Sequence, residues 1–221
     1  MQHISRLIVV LATLLATPVM AQESCICLKC LMGQHRMVQP MSQNMAPAFE
    51  PGDCHYARYL NGEFERLQYG DVIFFQHPTN DWQYLDRVVA MGGDSVQMIE
   101  GEVWLNGVPL LQVKMADYTI PFEHTGPESR LPMCQNRPEI GDVCRTERFI
   151  ETAANGRSYQ VLNVRDARTD DTEEFIIPEG FVFVLGDHRD NSIDSRFSQT
   201  GPMRGVGFVP LENIIGIIEE N

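Results

Sequence analysis

Gly186-Asp187-His188-Arg189-Asp190-Asn191-Ser192-Ile193-Asp194-Ser195-Arg196 follows directly on the apolar run Phe181-Val182-Phe183-Val184-Leu185. The block holds three Asp, two Arg, one Asn and two Ser. A strand that ends in so dense a polar cluster carries groups that must satisfy one another, because an unpaired buried charge is costly. One reading is a salt-bridged turn, with Asp190 and Asp194 paired to Arg189 and Arg196. The other is the polar wall of an active site. Spacing alone does not separate them.

Working outward, the rest of the chain reads as strands and turns. Residues 72–76 form an aromatic-rich apolar run introduced by Tyr69-Gly70-Asp71, and residues 84–91 form another, ended by Gly92-Gly93-Asp94. Residues 96–99 and 103–105 follow, and Asn106-Gly107 between apolar residues predicts a hairpin with a type I′ turn. Residues 158–164, 174–177, 181–185 and 214–218 read as further strands, with Pro178-Glu179-Gly180 as a turn. Residues 22–39 show no period, and no long amphipathic helix or internal repeat is found. The expected fold class is all-β.

Composition narrows the function. The chain has 221 residues, 21% charged and 43% hydrophobic, an ordinary globular balance. Its net charge of −13 argues against nucleic acid as a partner, because phosphates repel it. Residues 1–21 read as a targeting segment: Arg6 at the start, an apolar stretch over 7–16, and the small residues Val19 and Ala21 flanking Met20. Cleavage and export is the favoured reading. A short uncleaved membrane anchor competes with it, although 15 residues from Leu7 to Ala21 fall short of the ~20 that span a bilayer.

Export permits disulfides. Cys134 and Cys144 flank a short polar loop and are expected to bridge locally; Cys25, Cys27, Cys30 and Cys54 are left without an assigned pairing. The C-x-C-x-x-C spacing, with His35 and His55 as further ligands, suggests a metal or redox site only weakly, and no metal or cofactor is expected.

The polar block resembles the G-D-x-R-D-N-S-x-D-S-R segment of type I signal peptidases, the Ser/Lys-dyad membrane proteases. Four more blocks follow the family's order. Ser42-Gln43-Asn44-Met45-Ala46-Pro47 resembles S-x-S-M-x-P; Gly70-Asp71-Val72-Ile73-Phe74-Phe75 resembles G-D-V-I-V-F; residues 86–94 resemble K-R-V-V-G-x-P-G-D; residues 207–216 resemble G-F-V-P-x-x-N-I-x-G. The resemblance implies coiled antiparallel sheets. A peptidase-like core is expected over 40–110 and 173–221, with an inserted second β-domain over 111–172, after a cysteine-containing leader over 22–39.

Both dyad positions are altered. Asn44 stands where the family has its nucleophilic serine, and Asp86 where it has its lysine base. By the same resemblance, Ser42 falls on the oxyanion-hole serine and Ser192 on the serine that orients the lysine. Arg87, Asp187, Asp194 and Arg196 keep their supporting places. Ala48, Ala90 and Gly92 depart from the family's Thr, Gly and Pro. An amide nitrogen has no free lone pair, so Asn44 cannot replace serine, but its N–H can bond to the Asp86 carboxylate.

Three other catalytic arrangements are set aside. Ser42 with Asp86 as base is set aside because Ser42 sits two residues early and is expected on the opposite face if the segment is extended. His188 in a polar turn is expected to be solvated or hydrogen-bonded. Asp86 with Asn44 and Ser192 offers one carboxylate, too few for tight metal binding. The expectation is therefore a pseudoenzyme. It would still bind extended or signal-type peptides by strand addition in a groove lined by Met45, Phe74, Tyr84 and Leu85. An active peptidase with a non-standard arrangement, and a structural subunit of a secretion or surface-assembly complex in the membrane, are the alternatives. The expected location is the periplasm or the outer face of the cytoplasmic membrane.

Overall fold

The computed structural model describes Cys25, residues 28–200 and residues 204–219. The expected leader of residues 1–21 and Cys27 lie outside these. After a single helical turn, α1 (Leu28–Leu31), the described chain is built of short strands. These are β1 (His35–Val38), β2 (His55–Tyr59), β3 (Val72–Gln76), β4 (Gln83–Met91), β5 (Ser95–Ile99), β6 (Glu102–Leu105), β7 (Val108–Pro109) and β8 (Leu111–Lys114). They continue as β9 (Tyr118–Pro121), β10 (Val143–Thr152), β11 (Ser158–Asn163), β12 (Phe175–Ile176), β13 (Phe181–Leu185), β14 (Val209–Pro210) and β15 (Ile214–Ile218). The fold is all-β, and every strand pairing is antiparallel.

The main sheet runs β1-β2-β15-β3-β4-β13-β14. Its central strands are apolar almost without alternation because both faces are covered. On one side Ile73, Phe75, Val88, Val182 and Val184 pack with Leu60, Val206 and Ile217; on the other Val72, Phe74 and Leu85 pack with Val38, Met45 and Phe49. Each fully buried side chain of this size contributes about 1.5–3 kcal/mol relative to exposure. A second sheet, β12-β5-β6-β7, stacks Val96, Met98, Val103 and Leu105 against Phe183 and Leu185. Its β6–β7 hairpin turns at Asn106 and Gly107, both at positive φ (53° and 75°), as a type I′ turn requires.

The third sheet, β11-β10-β8 with β9 also on β10, comes from residues 111–163. Of these strands, only 158–163 is evident from the sequence. Residues 22–39, read as irregular, also contain α1 and strand β1, which pairs with β2 from His35↔Arg58 to Val38↔His55. Cys134 and Cys144 are bridged. Cys25 is bridged to Cys54, which fastens the segment before α1 to the entry of β2, and Cys30 is also disulfide-bonded. Among the described residues no helix is long and apolar enough to cross a membrane.

Candidate functional site

Strand β4 carries the site, and its pairing is lopsided. Toward β3 its first five residues are paired, from Gln76↔Gln83 to Val72↔Arg87. Toward β13 pairing starts only at Leu185↔Arg87 and runs to Val182↔Met91. Among the described residues no strand covers the other edge of residues 83–86, where only the Leu85 carbonyl is engaged, by Asn44. That edge borders a groove of about 700 Å³. Its walls include Phe74, Tyr84, Leu85 and the exposed Trp82; Ser42, Asn44, Asp86 and Ser192 lie along it. Arg36 stands over the Phe74 ring at 5.3 Å. Met45, expected in the groove, is fully buried in the core beside it.

The turn over Gln43–Met45 places the first reacting position. Ser42 is extended (φ −132°, ψ 167°), after which the chain tightens into a 3-10 turn closed by Ala46 N–H to the Gln43 carbonyl at 3.1 Å. The expectation that Ser42 faces away is not met: residues two apart share a face of an extended chain, and the Ser42 hydroxyl donates to Asn44 Oδ1 at 2.8 Å. Asn44 Nδ2 donates to the Leu85 carbonyl at 2.8 Å and to Asp86 Oδ1 at 3.0 Å. Both amide hydrogens are used, and the nitrogen lone pair is delocalised.

Asp86 lies under this amide and is almost fully buried. Its Oδ1 bonds only Asn44, and its Oδ2 has no partner among the described residues. Burial, reinforced by the Asp194 charge, pushes its carboxyl well above the usual range against the opposing Asn44 hydrogen bond. The Ser42 proton points at Asn44, so no base is positioned to remove it.

The polar block forms the support. Arg87 grips Asp187 through two bonds of 2.7 and 2.6 Å, donates to the Gly70 carbonyl at 2.7 Å, and lies over the Tyr159 ring at 4.2 Å. Asp194 accepts two bonds from Arg196 at 2.9 Å and one from the Gly186 N–H at 3.1 Å. Gly186 is required by close approach: a Cβ there would stand 2.4 Å from Ser192 Oγ and 2.8 Å from the Asn44 carbonyl oxygen. The His188 backbone N–H donates to that same carbonyl at 2.9 Å.

Two details differ from the sequence reading. Arg189 does not pair with an aspartate of its own block; it bonds Glu151 of β10 at 2.7 and 3.2 Å, while Asp190 caps the Val164 and Arg165 N–H groups at 2.7 and 3.2 Å. Glu151 is completely buried and also accepts from Tyr159 and Gln112, at 2.8 and 2.7 Å. Burial raises its pKa, but the Arg189 charge and these bonds outweigh it and hold the carboxyl below the ordinary value. Sequence reading missed Glu151; a lone glutamate amid Arg148-Phe149-Ile150 and Thr152-Ala153 was the available signal. His188 is not solvated either. Its ring is buried, with a backbone hydrogen bond at Met133 and no partner for Nδ1 among the described residues, and burial lowers its pKa to about 4.

An antiparallel all-β scaffold with an open strand edge, a 3-10 turn and a buried Asp/Arg block at one locus defines the class of protein. The chain belongs to the signal peptidase, peptidase S26, family, whose model matches residues 7–220. It is 31% identical over 157 residues to a signal peptidase I of Rickettsia typhi, covering 66% of this chain and 48% of that protein. To a signal peptidase I of Aquifex aeolicus it is 28% identical over 190 residues, covering 79% of this chain and 70% of the relative. The chain thus spans about half the length of its Rickettsia relatives. A crystal structure of a signal peptidase I from Enterococcus faecalis matches with a TM-score of 0.36 and 20% identity, over 70% of this chain and 97% of that one.

Proposed function

We propose that this chain is a catalytically silent member of the signal peptidase family that holds extended, signal-type peptides in the groove beside β4. The observation that carries the reading is the closed hydrogen-bond set Ser42–Asn44–Asp86, which occupies the reacting positions and contains no activated nucleophile. The free edge of residues 83–86 supports the binding half of the proposal, because a peptide laid there gains backbone hydrogen bonds without any dyad. Each such bond is worth about 0.5–1.5 kcal/mol net. The Asn44 bond to the Leu85 carbonyl is the contact a bound strand would have to share or displace.

We read residues 111–172 as an inserted β-domain that buttresses the groove through Glu151, and the protein as exported, working in the periplasm or at the outer face of the cytoplasmic membrane. The disulfides support an oxidising location. Incubation with a labelled Ala-x-Ala signal-type peptide tests the proposal: saturable binding with an intact peptide is expected. Cleavage would restore the alternative of an active peptidase. Absence of binding, with a stable complex to secretion components, would make the chain a structural subunit instead.

A further inference from the structure

In the buried block, Asp187 is matched by Arg87, Asp194 by Arg196 and Glu151 by Arg189. Among the described residues Asp86 alone of these carboxyls forms no ion pair, and its Oδ2 is both buried and unbonded. The Ser192 hydroxyl makes no hydrogen bond among the described residues and lies along the groove with Asp86. The Ser42 oxygen, having given its only proton to Asn44, offers lone pairs. These three side chains line the same groove and give its floor acceptor oxygens.

From this floor we infer a primary-ammonium subsite, in which Asp86 Oδ2, Ser192 Oγ and Ser42 Oγ receive the three N–H donors of a lysine side chain of the bound peptide. The inference rests on the groove being a peptide site, as proposed above. Lysine fits better than arginine because its ammonium is compact, with three donors, and its aliphatic stem can lie along Phe74 and Tyr84. Asn44 is only half-buried and covers Oδ1 of the carboxyl, so rotation of that one side chain, at the cost of its bonds to Ser42, Leu85 and Asp86, opens the carboxyl to the groove. The chain's net charge of −13 favours approach of a cationic peptide.

Binding is coupled to a proton. The groups facing Asp86 are Asp194, Asp187 and Arg196 from the polar block and Tyr84 from its own strand; β3 offers only Ile73 in register, and the 3-10 turn offers Asn44. Burial first, and the Asp194 and Asp187 charges after it, raise the Asp86 pKa when the site is empty. An arriving ammonium ionises it, so the carboxyl proton leaves to solvent as the cation enters.

Calorimetry with a capped alanine peptide carrying one central lysine, against the same peptide with norleucine, tests this. The native protein is expected to bind the lysine peptide at least about tenfold more tightly, equivalent to ~1.4 kcal/mol. Titrations in buffers of different ionisation enthalpy should show roughly one proton released per lysine peptide bound. Asp86→Asn, which keeps the side-chain shape and an acceptor for Asn44, should erase the preference and the proton release; Ser192→Ala should reduce the preference. Equal binding of both peptides, or a preference that survives Asp86→Asn, overturns the ammonium subsite while leaving the peptide groove intact. Failure of both peptides to bind overturns the groove itself.

Discussion

The side-chain amide of Asn44 donates to the carboxyl of Asp86 at 3.0 Å, joining the 3-10 turn to the free half of β4. The contact ties together two positions 42 residues apart in sequence. It turns what would be a reacting gap into a satisfied polar pair. It does so incompletely, because the second carboxyl oxygen is left buried without a partner.

That imbalance makes Asp86 a stability liability at neutral pH. Its folded-state pKa is raised, so the unfolded chain ionises first as pH rises above the ordinary aspartate value, and the native state loses ground. Asp86→Asn is therefore expected to raise the melting temperature, and to raise it more at pH 7 than at pH 4. Equal effects at both values, or destabilisation at pH 7, would contradict the assignment of a neutral buried acid.

His188 acts in the opposite window. Its folded pKa is lowered to about 4, so stability is fully present above the ordinary histidine value and is lost as pH falls from about 6.5 toward 4. The full effect is on the order of 3 kcal/mol. Urea titrations of His188→Asn across this range should show a flatter acid dependence than the native protein. Superimposable profiles would remove the imidazole from the account.

The Glu151–Arg189 pair joins the third sheet to the polar block, with both side chains buried. Glu151→Gln leaves a buried guanidinium without its counter-charge and is expected to cost about 3–5 kcal/mol. A double-mutant cycle with Arg189→Met should recover part of that loss through a large coupling term. A single-mutant loss below about 1 kcal/mol would show that the pair is not structural.

The parts of the fold that were legible in sequence are those where burial is hydrophobic. Strands β3, β4, β13 and β15 announce themselves as apolar runs cut off by glycine, proline or acidic turns, and Asn106-Gly107 specifies its hairpin. Strand β10 was hidden because one of its fully buried side chains is Glu151, held by Arg189 rather than by apolar neighbours. Strand β8 exposes most of its residues and β1 buries only its two ends, so neither shows a clean period of two; β9 alternates, but over four residues none of which is buried. At the site, the identities of Asn44 and Asp86 could be read directly. That Ser42 and Asn44 share a side was open to the sequence too, since residues two apart line one face of an extended segment; the 3-10 turn that closes over Gln43–Met45 was not legible.

The Cys134–Cys144 bridge closes a loop with a sequence separation of 10 beside the strand that carries Glu151. Replacing both cysteines with alanine is expected to cost about 2–3 kcal/mol, with groove chemistry unchanged. Peptide mapping under non-reducing conditions that joins either cysteine to the N-terminal cluster would contradict the pairing.

The central claim is that the support of a peptidase site persists around two substituted reacting residues. It is tested most directly by cleavage of an Ala-x-Ala signal-type peptide by native protein, Asn44→Ser, Asp86→Lys and the double variant, assayed in parallel. Only the double variant is expected to cleave, and weakly. Asn44→Ser alone sets a hydroxyl beside a neutral acid, and Asp86→Lys alone supplies a base with nothing to activate, so restoration must be non-additive. Cleavage by the native protein, abolished by Ser42→Ala or His188→Ala, would contradict the account.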